Sequence, residues 1–239
     1  MAAPTDAHDR NDEPPDVPRP VVHPSDPAYR GQAVYRRGTL LAYDTLVVRL
    51  SNTLVWRCPA AEIRAHHARH LTSVHLDVGP GTGYYLDHCR MPDRLRLTLL
   101  DANPEVLRYA GARLRRYRPA VHSADVLKPI TLPRGAFRSI GLSYVLHCVP
   151  GDIGAKAVVL DNLIPLLEPG GVLFGATILG EPARHNAIGR ALMRTYNRRG
   201  IFANTADTRE HLDRALSSRF ARYDLTVTGA VALFAGWTE

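Results

Sequence analysis

The chain has 239 residues, 45% of them hydrophobic and 22% charged, ordinary globular values for one well-buried core, so neither a fibrous protein nor disorder throughout is expected. The formal charge of +7 is carried almost wholly by scattered arginine, since Lys128 and Lys156 are the only lysines, and arginines that do not alternate with aromatics argue against a nucleic-acid groove. An uncharged apolar run of eighteen residues and a basic-then-apolar leader are both missing, and Cys58, Cys89 and Cys148 are widely spaced; the expectation is a soluble, cytoplasmic protein with reduced thiols, no metal and no membrane partner.

Residues 1–28 hold seven prolines and six acidic groups with few large apolar side chains, and read as a disordered tail. Residues 29–239 read as a single domain, with a helical N-terminal lid over 29–70 and a core from 71 onward. Within the lid, "YDTLVVRLSNTLVWRCP" is amphipathic and aromatic, and offers Tyr43, Asn52 and Trp56 to a ligand. In "HHARH", His66 and His70 share one helical face; without a third ligand they read as a polar face and not as a zinc site.

Strand and helix patterns then alternate, the signature of a parallel sheet covered on both faces. Strands are expected at 73–79, 96–102, 120–125, 138–146 and 171–179. A short helix follows the first strand. A second, over 103–117, enters through Asn103 and Pro104, and a third runs across 154–170 to Gly170. Two amphipathic stretches, 186–198 and 207–218, make an insertion at about 181–218, and "ARYDLTVTGAVALFAGW" reads as a closing antiparallel hairpin. The fold class expected is α/β: a Rossmann-like, seven-stranded, mostly parallel sheet.

The first strand runs into "LDVGPGTGYYLD", a glycine-rich turn feeding a helix, which offers backbone N–H groups to a nucleotide-like ligand. In a dinucleotide fingerprint a further glycine lets helix and strand approach, and a pyrophosphate lies on the helix end. Here Tyr84 and Tyr85 occupy that place.

Taken from its aspartate, the run Asp77-x-Gly79-x-Gly81-x-Gly83 resembles motif I of class I S-adenosylmethionine-dependent methyltransferases. An acid at that strand end suits a ligand bearing an ammonium and a sulfonium. "LLDANPEVL" is similar to the family's acidic second motif, which implies ribose binding by Asp101 beside Ala102. "SADVL" resembles the next motif and implies that Asp125 meets the adenine amino group, with Ala124 and Val126 lining the base pocket. "FRSIGLSYVLHCVPG" resembles motif IV, whose strand end faces the transferring methyl; there Ser143 is expected near the sulfonium and His147, Tyr144 and Tyr43 are the candidates for a catalytic role, His147 as a base. Trp56, Tyr196, Asn197 and Phe202, with Asn204 beside them, are the candidate acceptor contacts.

The resemblance implies S-adenosylmethionine as cofactor and in-line methyl transfer; a small-molecule acceptor, in specialised metabolism, is the expectation added to it. O-, N- and C-methylation stay open at this point, as does the oligomeric state. An RNA or protein methyltransferase is the alternative among enzymes, and a cofactor-binding but idle partner subunit the alternative outside them. The motif-IV position lacks the Asn-Pro-Pro-Tyr or Asp-Pro-Pro-Tyr of base-methylating enzymes and carries Ser143-Tyr144-Val145-Leu146, which favours the small molecule.

Overall fold

The computed structural model describes residues 52–239; the expected tail at 1–28, most of the expected lid and Tyr43 lie outside the described residues. Seven strands, β1 (Val74–Val78), β2 (Arg96–Asp101), β3 (Ala120–Ser123), β4 (Phe137–Ser143), β5 (Leu167–Ile178), β6 (Arg222–Thr228) and β7 (Val231–Trp237), form one sheet in the order β3-β2-β1-β4-β5-β7-β6. The first five are parallel, and β7 runs antiparallel between β5 and β6, so the expected architecture and closing hairpin are present.

Helices α1 (Ala60–His70), α2 (Tyr84–Asp87), α3 (Pro104–Arg113), α4 (Ile153–Lys156), α5 (Val158–Leu163), α6 (Ala187–Arg198) and α7 (Arg209–Ser217) complete the described residues, together with short 3-10 turns. Alternating side chains on the strands feed two apolar layers. Leu76, Val78, Leu142, Leu173 and Phe234 pack with α5 and α7, whereas Leu97, Leu99, Val172 and Phe174 pack with Leu107 and Leu114 of the α3 segment. The described part of the expected lid, residues 52–70, holds a π-helical turn at 52–55 and then α1, which lies against β5, β7 and α2.

Three features differ from what the sequence predicts, for identifiable reasons. β4 stops at Ser143 because Tyr144 takes a left-handed backbone, φ 62°, and Leu146–Cys148 coil into a 3-10 turn. The single helix expected to reach Gly170 is broken into α4, α5 and a 3-10 turn around Pro165, whose missing N–H cannot extend a helix. β5 therefore begins at Leu167, and residues 168–171 bulge out between the pairs Phe137 with Leu167 and Ser139 with Val172. The third concerns α1: His66 and His70, read as a polar face, are buried, because the helix presses them against Phe174 and Trp237 of the sheet.

Candidate active site

The glycine turn joins β1 to α2. Gly79, Gly81 and Gly83 all have φ between 55° and 74°, a conformation that side-chain-bearing residues adopt only at a cost. At Gly79 space is also limiting, since a Cβ would stand 2.4 Å from Val145 Cγ2. The turn is tethered to its neighbours: Gly79 N–H donates to Leu100 O (2.8 Å), and Arg113 donates to Thr82 O (3.2 Å) and to Asp87 (2.9 Å). Burial opposes ionisation of Asp87, but hydrogen bonds from Arg113 and Arg116 outweigh it and hold this carboxyl below its usual range. Tyr84 is buried and stacks on His88 with centroids 4.3 Å apart, filling the place that a closer-packed helix would need empty.

Above the C-terminal ends of β1, β2 and β4 opens a cleft that is partly continuous with solvent. Gly79 and Gly81 form its floor; Asp101 and Ala102 come from the end of β2; Ala124, Asp125 and Val126 come from the end of β3. This is where ligands bind in open α/β sheets, at the point where strand order reverses. Asp101 Oδ1 accepts the Asn103 N–H at 2.8 Å, while Asn103 caps α3 through Glu105 N–H at 3.0 Å. Burial pushes the Asp101 carboxyl up to about 7, against the pull of the backbone N–H groups of Asn103 and Ala102. Asp125, buried, accepts Leu127 N–H at 3.0 Å and lies 3.5 Å from Lys128 Nζ.

The other lining residues are Tyr144, Val145, Cys148, Val149 and Pro150, of which Tyr144 is a candidate from the sequence. The Cys148 thiol is pushed up to about 12 by burial, with Lys156 pulling the other way, so it is not a thiolate nucleophile. Tyr144 is the top of a ladder of near-parallel rings: His67 to Tyr85 at 5.5 Å and Tyr85 to Tyr144 at 6.0 Å, both inclined by 18°. Asn52 links the two tyrosines, its Nδ2 donating to Tyr85 Oη (2.6 Å) and its Oδ1 accepting from Tyr144 Oη (3.4 Å). Asn52, a residue of the expected lid, is thus tied to Tyr85, one of the two tyrosines that stand where a dinucleotide turn has its further glycine.

Not every candidate reaches the cleft. His147 is 3% exposed, lies edge-on to Phe202 at 4.5 Å and to Tyr144 at 5.7 Å, and its Nδ1 accepts Ile178 N–H at 3.5 Å. Burial, helped by the charge of Lys156, takes its pKa down to about 3, far from that of a general base at neutral pH. Ser143 Oγ is buried and has no hydrogen-bond partner among the described residues, and Ser143, Asp77 and Gly83 are not among the residues that line the cleft.

Phe202 packs against Trp56, Tyr196 and His147 in a cluster that Tyr144 joins, with Trp56 and Phe202 buried. Asn197 and Asn204 exchange two hydrogen bonds of 3.0 Å, which closes the loop after α6. That loop is fixed further by Lys156, whose Nζ donates to Ala203 O (2.9 Å) and Asp207 Oδ2 (2.5 Å) in a buried ion pair. The four acceptor candidates thus form a packed wall that supports Tyr144 and does not itself line the cleft. Among the described residues no group of three His, Cys, Asp or Glu side chains is placed to hold a metal ion, and no helix is long and apolar enough to cross a membrane.

Comparison with known proteins agrees with this geometry. A family described as "Methyltransferase domain" matches residues 76–173. The demethylluteothin O-methyltransferase of Streptomyces thioluteus is 39% identical over 209 residues, 87% of this chain and 91% of that one. An O-methyltransferase of the physcion biosynthesis cluster of Aspergillus chevalieri is 36% identical over 210 residues, 87% and 95% of the two chains. Human N-acetylserotonin methyltransferase, solved with S-adenosylmethionine, shares the fold with a TM-score of 0.59 at 17% identity, over 90% of this chain and 57% of that one. With the glycine turn, the acidic strand ends and relatives alike along nearly their whole length, the chain belongs to the class I S-adenosylmethionine-dependent methyltransferases.

Proposed function

We propose that the protein transfers a methyl group from S-adenosylmethionine to a hydroxyl oxygen of a small, planar specialised metabolite. The observation that carries the reading is the cleft itself: a glycine floor with a carboxylate at each of two strand ends and an apolar wall beyond them. These residues fit the cofactor. Asp101, with one oxygen on the Asn103 N–H, has lone pairs left for ribose hydroxyls; Ala124 and Val126 flank a slot for a flat base beside Asp125; Gly79 and Gly81 add no side chain to the floor. Bound there, the cofactor supplies an electrophilic methyl on a sulfonium.

The chain's own part is positioning. Holding acceptor and methyl at near-attack distance supplies up to about 7–11 kcal/mol in well-oriented systems, without a metal or a covalent intermediate. Tyr144 sits on the wall with its ring braced by Tyr85 and its hydroxyl on Asn52, so it offers an acceptor both a flat face and a polar edge. His147 takes the role of a support behind that ring, because its pKa of about 3 and its burial unsuit it to proton abstraction. Oxygen is chosen as the methylated atom on the strength of the Streptomyces and Aspergillus relatives, both O-methyltransferases.

The test is mass spectrometry of the enzyme with S-adenosylmethionine and a panel of phenols and enols, paired with the corresponding methyl ethers and aryl amines. The reading expects one methyl added to hydroxylated members and none to the ethers. Transfer only to amines, or to RNA or protein, would overturn it.

A further inference from the structure

The alternation of side chains along β1 puts His75 and Asp77 on the same face of the sheet, with His75 fully buried and Asp77 nearly so. In the register of β1 and β4, Asp77 pairs with Gly141. A Cβ at Gly141 would stand 2.8 Å from Asp77 Oδ1 and 3.2 Å from both Cε1 and Nε2 of His75, so imidazole and carboxylate share the space that this glycine leaves open. The imidazole is fixed from the other side by Phe174, stacked at 5.7 Å and 22°.

The hydrogen bonds around His75 select its tautomer. Ser139 Oγ accepts Thr72 N–H at 3.0 Å, lies 2.9 Å from Thr72 Oγ1 and lies 2.8 Å from His75 Nδ1. A hydroxyl has one proton and two acceptor sites. If Thr72 Oγ1 donates to Ser139, the serine proton goes to His75 Nδ1, and the ring proton then sits on Nε2. In the reverse arrangement the ring proton is on Nδ1, and the Nε2 lone pair faces Asp77 Oδ1, at 3.7 Å, inside the protein. Two facing lone-pair acceptors repel, so the first arrangement wins. His75 Nε2 has no hydrogen-bond partner among the described residues.

We propose that His75 is a positioning residue for the cofactor's amino-acid end: with its ring fixed by Thr72, Ser139 and Phe174, it aims Nε2–H at Asp77 Oδ1, 3.7 Å away, and so biases the carboxylate toward an ammonium. The Asp77 side chain is 8% exposed. The inference rests on the reading of Asp77 as the anion for a cationic tail, and calorimetry with two ligands separates the two ideas. S-adenosylhomocysteine carries the tail; 5′-methylthioadenosine keeps the adenosine and thioether without it.

His75→Phe, which keeps the stack on Phe174, and Ser139→Ala, which removes the proton donor to Nδ1, are each expected to weaken S-adenosylhomocysteine about tenfold, as for loss of a hydrogen bond to a charged group. Both should leave 5′-methylthioadenosine within about twofold. Histidine nitrogen NMR of the wild-type protein should find the His75 proton on Nε2. If Asp77→Asn leaves the preference for the tailed ligand unchanged, the Asp77 reading itself falls. If Asp77→Asn abolishes that preference while His75→Phe and Ser139→Ala keep it, or weaken both ligands alike, His75 is packing only and the proposal is overturned. Should His75→Phe not fold, Ser139→Ala and the NMR tautomer decide the matter.

Discussion

Lowering the pH should loosen cofactor binding through one group, Asp101. In the free protein burial raises its carboxyl to about 7, so near neutrality it is only partly ionised. Two ribose hydroxyls donating to it favour the ionised form, because a hydrogen bond to a charged acceptor is stronger than to a neutral one by about 1 kcal/mol. For two bonds that is ~2 kcal/mol, which lowers the carboxyl pKa in the complex by about 1.5 units. The sign follows: binding expels a proton, so affinity is full above about pH 7, falls as pH drops through that value, and levels off near pH 5.5 after a loss of about thirtyfold. Titration calorimetry with S-adenosylhomocysteine between pH 5 and pH 8, in two buffers of different ionisation enthalpy, reads both the affinity and the released proton. Asp101→Asn should bind more weakly at neutral pH and lose the pH dependence. A wild-type affinity flat across the range, or an Asn variant with the same slope, would refute the reasoning.

Acid should also unfold the protein by way of its buried histidines. Burial, with His70 nearby, lowers His66 to about 4, and burial with Lys156 lowers His147 to about 3, while an unfolded histidine takes its proton near 6.5. The unfolded chain therefore binds more protons, and stability is lost as pH falls from about 6.5 toward 4, by about 1.4 kcal/mol per pH unit for each site. Urea titrations across that window should show His147→Phe with a slope smaller by one proton; an unchanged slope would mean that His147 ionises in the folded state. For the buried pair, Lys156→Ala leaves Asp207 without its cation and should cost about 3–5 kcal/mol, most of it recovered in Lys156→Met with Asp207→Leu. A single variant as stable as wild type would show that the pair does not hold the loop after α6.

What could be read from the sequence was local in the chain. The β1 turn, the capped entry to α3 and the acids that end β2 and precede Val126 are each defined within a few residues, and the structure brings Gly79, Asp101 and Asp125 to one cleft. The cleft's far wall was harder to see, because Val145 and Val149 reach it only through the left-handed turn at Tyr144, which a tyrosine does not announce. The link of Asn52 to Tyr85 and Tyr144 spans residues far apart in the chain, and no local pattern predicts it. Histidine misled in both directions. His147 looked like a base at a strand end and is a buried ring against Phe202, and His66 and His70 looked like a solvated face and lie against Phe174.

Gly141 gives the motif a wider boundary than its letters. The carboxylate on β1 fits only because the facing position on β4 has no side chain, and the histidine beside it is held by a ring on β5. Moving the glycine turn and its aspartate into another parallel sheet would therefore transplant the sequence without the packing that accommodates its carboxylate. The portable unit is a patch three strands wide, and a graft would have to carry Gly141 and Phe174 with it.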